Sequence, residues 1–148
     1  SKATIRRKPV SEQPCGPPAS STGAAKAIGL VYPALEGKLH GAAMRVPVAD
    51  GSVCDVTFVA SRSSSVDELR QAFRKAAGGE LQGILRATDE PMVSSDVIGE
   101  THSSVIDLQL ISEVTPTFFR VVSWYDNENA YALRCVDLTA FMVERESA

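Results

Sequence analysis

No apolar run in these 148 residues approaches the roughly 18 residues that cross a bilayer as a helix, so no membrane span is expected. There is no Gly-x-Gly-x-x-Gly between a strand and a helix, which excludes a self-contained dinucleotide-binding unit. Histidine occurs only at His40 and His102, and cysteine only at Cys15, Cys54 and Cys135. Three thiols, an odd number without metal-ligand spacing, suggest reduced cysteines in a reducing, intracellular compartment. Basic charge is scarce as well. A net charge of -3 argues against nucleic acid as the main partner, because a surface that tracks phosphates is ordinarily basic. The charge is uneven: Lys2, Arg6, Arg7 and Lys8 against Glu12 leave residues 1–20 at +3 and the remainder at -6.

What is present suits one folded unit with a tail. An apolar content of 44% with 22% charged residues is that of a globular domain. Residues 1–20 hold Pro9, Pro14, Pro17 and Pro18 with Gly16, which rules out a helix or a central strand and predicts an irregular basic arm. From Ser21 onward Ala24, Ala27, Ile28, Val31 and Leu35 recur at helical spacing, with Pro33 marking the end. Two strands are expected at 39–49 and 52–61, joined as a hairpin through Asp50-Gly51. Alternation in the second predicts a buried strand cysteine at Cys54, in line with Val56 and Phe58.

Ser65-x-x-Glu68 reads as a capping box, opening a helix with Val66, Leu69, Phe73 and Ala76 on one face and Gly78-Gly79 as its stop. A short strand is expected near 82–87, then strong alternation at Ile106, Leu108 and Leu110 against Asp107 and Gln109, and again over 117–125. Asp126 should cap a last helix over 127–145, with Tyr131, Cys135, Leu138 and Met142 as its inner stripe. The sum is an α+β fold, a largely antiparallel sheet with about three helices on one face.

Three ordered blocks carry a resemblance. Ser123-Trp124-Tyr125-Asp126-Asn127-Glu128-Asn129-Ala130-Tyr131, running on to Arg134 and Asp137-Leu138, resembles the signature near the end of glyceraldehyde-3-phosphate dehydrogenases. Ser21-Thr22-Gly23-Ala24-Ala25-Lys26-Ala27, then Gly37-Lys38-Leu39, Gly41 and Arg45-Val46-Pro47-Val48-Ala49, is similar to the same family's phosphate-loop helix and the strand after it. Val93-Ser94-Ser95-Asp96 with Thr101-His102-Ser103-Ser104 falls between them in the family's order. The resemblance implies a C-terminal catalytic domain over 21–148, truncated of its first helix and strand. It also implies that Thr22, Gly23 and Arg45 bind phosphate, and that Asn127, with Tyr131, meets the nicotinamide.

Set against that family, the chain lacks both catalytic motifs. The thiol sits in Ser-Cys-Thr-Thr-Asn and the base in His-Ala-Ile-Thr, and neither string occurs here. Acyl transfer through a thiol needs a thiolate and a base within hydrogen-bond reach, so no catalytic residue is assigned and no activity is expected of the chain alone. Departures also fall around the coenzyme-facing helix. Asn129-Ala130 stands where the family has an aromatic residue and glycine, Ala132-Leu133 where it has Ser-Asn, and Asp50 where it has Asn. This pattern fits a fold kept while its catalysis lapsed, which favours the first of two functions. One is a non-catalytic structural or interaction subunit of a larger, organellar assembly. The other is a C-terminal fragment of a working phosphorylating dehydrogenase, binding NAD or NADP only when complemented by another chain. Other protein chains are the expected partners, at an open sheet edge and through the 1–20 arm. Ser1-Lys2 and the arginine-bearing start suggest a mitochondrial or plastid location after presequence removal, with the cytoplasm as the other expectation.

Overall fold

The computed structural model describes residues 19–21 and 23–146, and two compact units divide after Pro47. In the first, β1 (Ala19–Ser21) pairs antiparallel with β2 (Ala42–Met44). The expected helix forms as α1 (Ala24–Val31) and gives way at Tyr32, whose φ of -131° and ψ of 82° are the extended geometry a following proline imposes. Pro33 then opens a single 3-10 turn, Pro33–Leu35. The arm's residues 1–18 lie outside the described residues; its end, β1, lies along β2.

The expected hairpin does not form. The strand predicted over 39–49 shortens to β2, and β2 pairs with β1, while β3 (Ser52–Val59) belongs to a different sheet. Pro47 interrupts the run, since it cannot donate a ladder hydrogen bond. Gly51 serves a close approach instead. Its φ is +90°, and a Cβ there would stand 2.6 Å from the Ser94 carbonyl oxygen and 3.1 Å from Val97 Cγ2.

The second unit is a four-stranded mixed sheet in the order β3-β6-β5-β4, with β4 (Leu85–Thr88), β5 (Ser104–Thr115) and β6 (Phe118–Tyr125). β3 pairs antiparallel with β6, and β6 with β5. β4 runs parallel to β5, which demands the long crossover through residues 89–103. The α+β architecture read from the sequence is thus observed. α2 (Val66–Ala77) lays Val66, Leu69, Phe73 and Ala76 against a core of Leu85, Ile106, Leu108, Ile111 and Val121. Its capping box is reciprocal: Ser65 Oγ accepts from Glu68 N at 3.2 Å, and Glu68 Oε2 accepts from Ser65 N at 3.0 Å. Phe119, fully buried, meets Phe58 with ring centroids 5.9 Å apart.

Three side chains depart from simple alternation. Asp107, expected outward, is buried, because β5 shifts register between Asp107 and Ser112. Its Oδ1 accepts from Gln109 N at 3.0 Å and Leu110 N at 3.3 Å, satisfying backbone donors that the irregularity frees. Leu110 consequently turns outward and Ile111 inward. Cys54, expected buried, is exposed. β3 is an edge strand, and of its alternating set only Phe58 reaches the core beneath α2.

The inner stripe expected on α3 (Asn129–Glu146) is also exposed. Tyr131 is 71%, Leu138 59% and Met142 55% accessible, and Cys135 is exposed. Ala130 alone is buried on this helix. Helical spacing identifies which residues share a face but not what covers it.

One carboxylate fixes the start of α3 and a second fixes the turn beside it. Asp126, 2% exposed, follows β6; its Oδ1 accepts from Glu128 N at 2.8 Å and Asn129 N at 2.7 Å, and its Oδ2 from Gly99 N at 2.8 Å. Burial works to raise this carboxyl, and the three backbone N–H groups more than reverse it, leaving it below the ordinary value. Glu100, its side chain 9% exposed, is similar: burial opposes ionisation, and the His102 and Thr101 donors with the Arg86 charge hold it low.

Two predictions follow from these contacts. Gly83 also has positive φ, +78°, but open space around it; Gly83→Ala should cost about 1 kcal/mol from backbone conformation alone. Gly51→Ala adds a clash with a carbonyl and should cost at least about 2 kcal/mol, read from urea midpoints by the fluorescence of Trp124. Equal losses would contradict the close approach. Carboxyls with depressed folded-state values stabilise fully above the ordinary carboxylate range and lose that contribution as pH falls through the folded values. The urea midpoint should therefore drop on acidification below about pH 4, and Asp126→Asn, neutral throughout, should show a smaller drop than the parent chain.

Candidate functional site

The residues expected at a phosphate site fall in the first unit. Thr22 lies outside the described residues. Gly23 is the N-cap of α1, with φ of -78° and ψ of -9°, and its carbonyl accepts from Ala27 N at 2.9 Å. Such a first turn directs backbone donors and the positive end of the helix dipole outward. Arg45 follows β2 directly, is exposed, and forms no ion pair among the described residues. The ladder register sets Ser21 opposite Ala42, and Arg45 stands three residues beyond Ala42, about 10 Å along the strand. Gly23 and Arg45 therefore flank the ends of one short ladder rather than touching.

The residues expected at the nicotinamide do come together. Asn127 and Tyr131 line one hollow of about 280 Å³, with Ser103, Tyr125, Asp126, Ala130 and Arg134 completing its wall. The hollow sits where β6 passes into α3. Asp126 forces that geometry, since its carboxylate can gather Glu128 N, Asn129 N and Gly99 N only if the chain turns sharply at Asn127. The same carboxylate, held ionised, sets a negative charge at the helix N-terminus, where it is favoured.

Asn127 is oriented from the neighbouring strand. Ser52, first residue of β3 and register partner of Tyr125, donates from Oγ to Asn127 Oδ1 at 2.8 Å. With the oxygen engaged, Nδ2 is the donating end of that amide. Arg134 is tied back by Nη1 to the Gly83 carbonyl at 3.1 Å and by Nη2 to Asp137 at 2.8 Å. Ser103 Oγ and Arg134 Nε are buried and without a hydrogen-bond partner, so the hollow's wall carries unspent polar capacity. Ser52 and the unpaired atoms of Ser103 and Arg134 were not identifiable from periodicity: Ser52 is 75 positions from Asn127, and only sheet register brings them together. Among the described residues no cluster of three or more His, Cys, Asp or Glu side chains could hold a metal ion, and no helix is long and apolar enough to cross a membrane.

Comparison with known proteins shows the family of the chain. The family model described as "Glyceraldehyde 3-phosphate dehydrogenase, C-terminal domain" matches residues 5–127. The glyceraldehyde-3-phosphate dehydrogenase 1 of Nostoc sp. is 51% identical over 127 residues, covering 86% of this chain and 37% of that protein. The Mycobacterium tuberculosis glyceraldehyde-3-phosphate dehydrogenase is 53% identical over 123 residues, covering 83% of this chain and 36% of the relative. Glyceraldehyde-3-phosphate dehydrogenase 3 of Saccharomyces cerevisiae is 48% identical over 119 residues, 80% of this chain and 36% of its own length. The chain thus spans little more than a third of the curated relatives it matches. The matched stretch contains neither the thiol motif nor the histidine motif of the resemblance. With its mixed sheet, its Asp126-capped helix and its match over residues 5–127, the chain belongs to the glyceraldehyde-3-phosphate dehydrogenase family as part of the C-terminal domain.

Proposed function

We propose that this chain is the C-terminal part of a working phosphorylating, NAD(P)-dependent glyceraldehyde-3-phosphate dehydrogenase, and that it supplies the nicotinamide-facing wall of the site. The coenzyme domain, the thiol and the base are then carried by polypeptide outside these 148 residues. The observation that carries this reading is the engagement of Asn127: Ser52 holds Oδ1, which leaves Nδ2 as the donating end of a side chain that lines the hollow with Tyr131. A donor presented this way suits the carboxamide oxygen of a nicotinamide, whose ring would supply the hydride acceptor. Tyr131, 71% exposed, offers an aromatic wall beside it. Thr22, Gly23 and Arg45 are the groups proposed to hold phosphate, Arg45 through its planar fork of donors.

Identity of about half over four-fifths or more of the chain, to relatives bearing the enzyme's name, supports a working part over a lapsed one. The departures at Asn129-Ala130 and Ala132-Leu133 favour the alternative of a non-catalytic structural subunit, and these identities outweigh them. An exposed apolar series on α3, including Tyr131, Val136, Leu138, Phe141 and Met142, suits a helix covered by more of the enzyme.

The test is reconstitution. Mixed with a polypeptide comprising the preceding part of a curated relative, thiol and base included, the chain should restore phosphate-dependent reduction of NAD or NADP by glyceraldehyde 3-phosphate. Neither component should do so alone. In that assembly Asn127→Ala should lower kcat/KM for the coenzyme about 3- to 10-fold, as expected for one neutral hydrogen bond of about 0.5–1.5 kcal/mol. A stable assembly without turnover would overturn the proposal and favour a structural role.

A further inference from the structure

Asn129 does something no other side chain of α3 does. Its Nδ2 donates to the Gly99 carbonyl at 3.0 Å and to the Glu100 carbonyl at 3.1 Å, so one amide nitrogen reaches back 30 and 29 positions in sequence. Those carbonyls belong to a turn that is itself rigid. Gly99 N is held by Asp126 Oδ2, and the Glu100 carboxylate gathers Thr101 N, His102 N, His102 Nδ1 and Arg86 Nη1. The first turn of α3 and the 99–102 turn are thus sewn together from both sides. Asp126 reaches out to accept and Asn129 reaches out to donate. Asn127 sits between these two stitches, with no backbone bond of its own to that turn among those described.

We propose that Asn129 is a positioning residue for Asn127: by clamping α3 to the Gly99–Glu100 carbonyls it fixes the direction in which the Asn127 amide faces the hollow. The role in catalysis rests on the nicotinamide reading given above; the clamp itself rests on geometry. The clamp works by donation, which separates it from helix capping. A residue serving only the helix would act through the dipole, and a carboxylate in the first turn would serve as well or better. A residue serving the clamp must offer N–H groups, and a carboxylate facing two carbonyls would be repelled.

Asn129→Asp, nearly identical in shape, therefore discriminates. In the chain alone, amide hydrogen exchange should quicken about tenfold at Gly99, Glu128 and Asn129 in both Asn129→Ala and Asn129→Asp, the loss expected for two neutral hydrogen bonds. Trp124 fluorescence should report an unchanged global fold. In the reconstituted assembly both variants should raise KM for the coenzyme several-fold with KM for the aldehyde unchanged, and Asn127→Ala combined with Asn129→Asp should be no worse than Asn127→Ala, since a positioning residue has nothing left to position. Exchange in Asn129→Asp equal to the parent chain, or fully additive losses in the double variant, would overturn the inference. If the parent assembly shows no turnover while exchange quickens as stated, the dehydrogenase reading fails and the clamp stands.

Discussion

The second unit's functional end depends on one buried carboxylate. Asp126 is 2% exposed and accepts from three backbone donors, two from the start of α3 and one from Gly99. Burying a carboxylate is costly unless hydrogen bonds replace its water, and here three of them do. The consequence is positional. β6 must end, the chain must turn and α3 must begin within three residues, and Asn127 is the residue left facing outward at that corner. Ser52 and Asn129 then refine what Asp126 establishes, one by holding the Asn127 oxygen and the other by holding the helix to the neighbouring turn.

The sheet matters to function chiefly as the frame for this corner. Pairing of β3 with β6 brings Ser52 opposite Tyr125, and pairing of β5 with β6 sets Ile106 opposite Ser123, whose hydroxyl reaches that of Ser104. Gly51 lets β3 enter at that point by tolerating positive φ beneath the Ser94 carbonyl. α2 and the core around Leu108 stabilise the frame from the far side and contribute no group to the hollow.

How far the sequence could be read follows from which forces are local. The α2 capping box, its stop at Gly78 and the Asp126 cap depend on residues within a few positions, and all are observed. The grouping of Asn127 with Tyr131 came from the family resemblance, not from periodicity, and both line one hollow. The hairpin at Asp50-Gly51 was misread because the same two residues can serve a close approach as well as a turn, and only the remote Ser94 decides. Asp107 was misplaced because alternation assumes an unbroken ladder, whereas here the carboxylate supports an irregularity. The α3 stripe was legible as a face but not as a buried one. Ser52 and the donors of Asn129 remained invisible, since both act across dozens of positions.

A chain covering little more than a third of its relatives, yet retaining a held and outward-facing Asn127, fits one side of a divided site. The most direct measurement is a crystal structure of the chain assembled with the preceding part of a curated relative and NAD. The account predicts the nicotinamide seated against the hollow of Asn127 and Tyr131, with Asn127 Nδ2 about 3 Å from the carboxamide oxygen and Ser52 still on Oδ1. An assembled complex in which NAD binds with its nicotinamide away from Asn127 would contradict it.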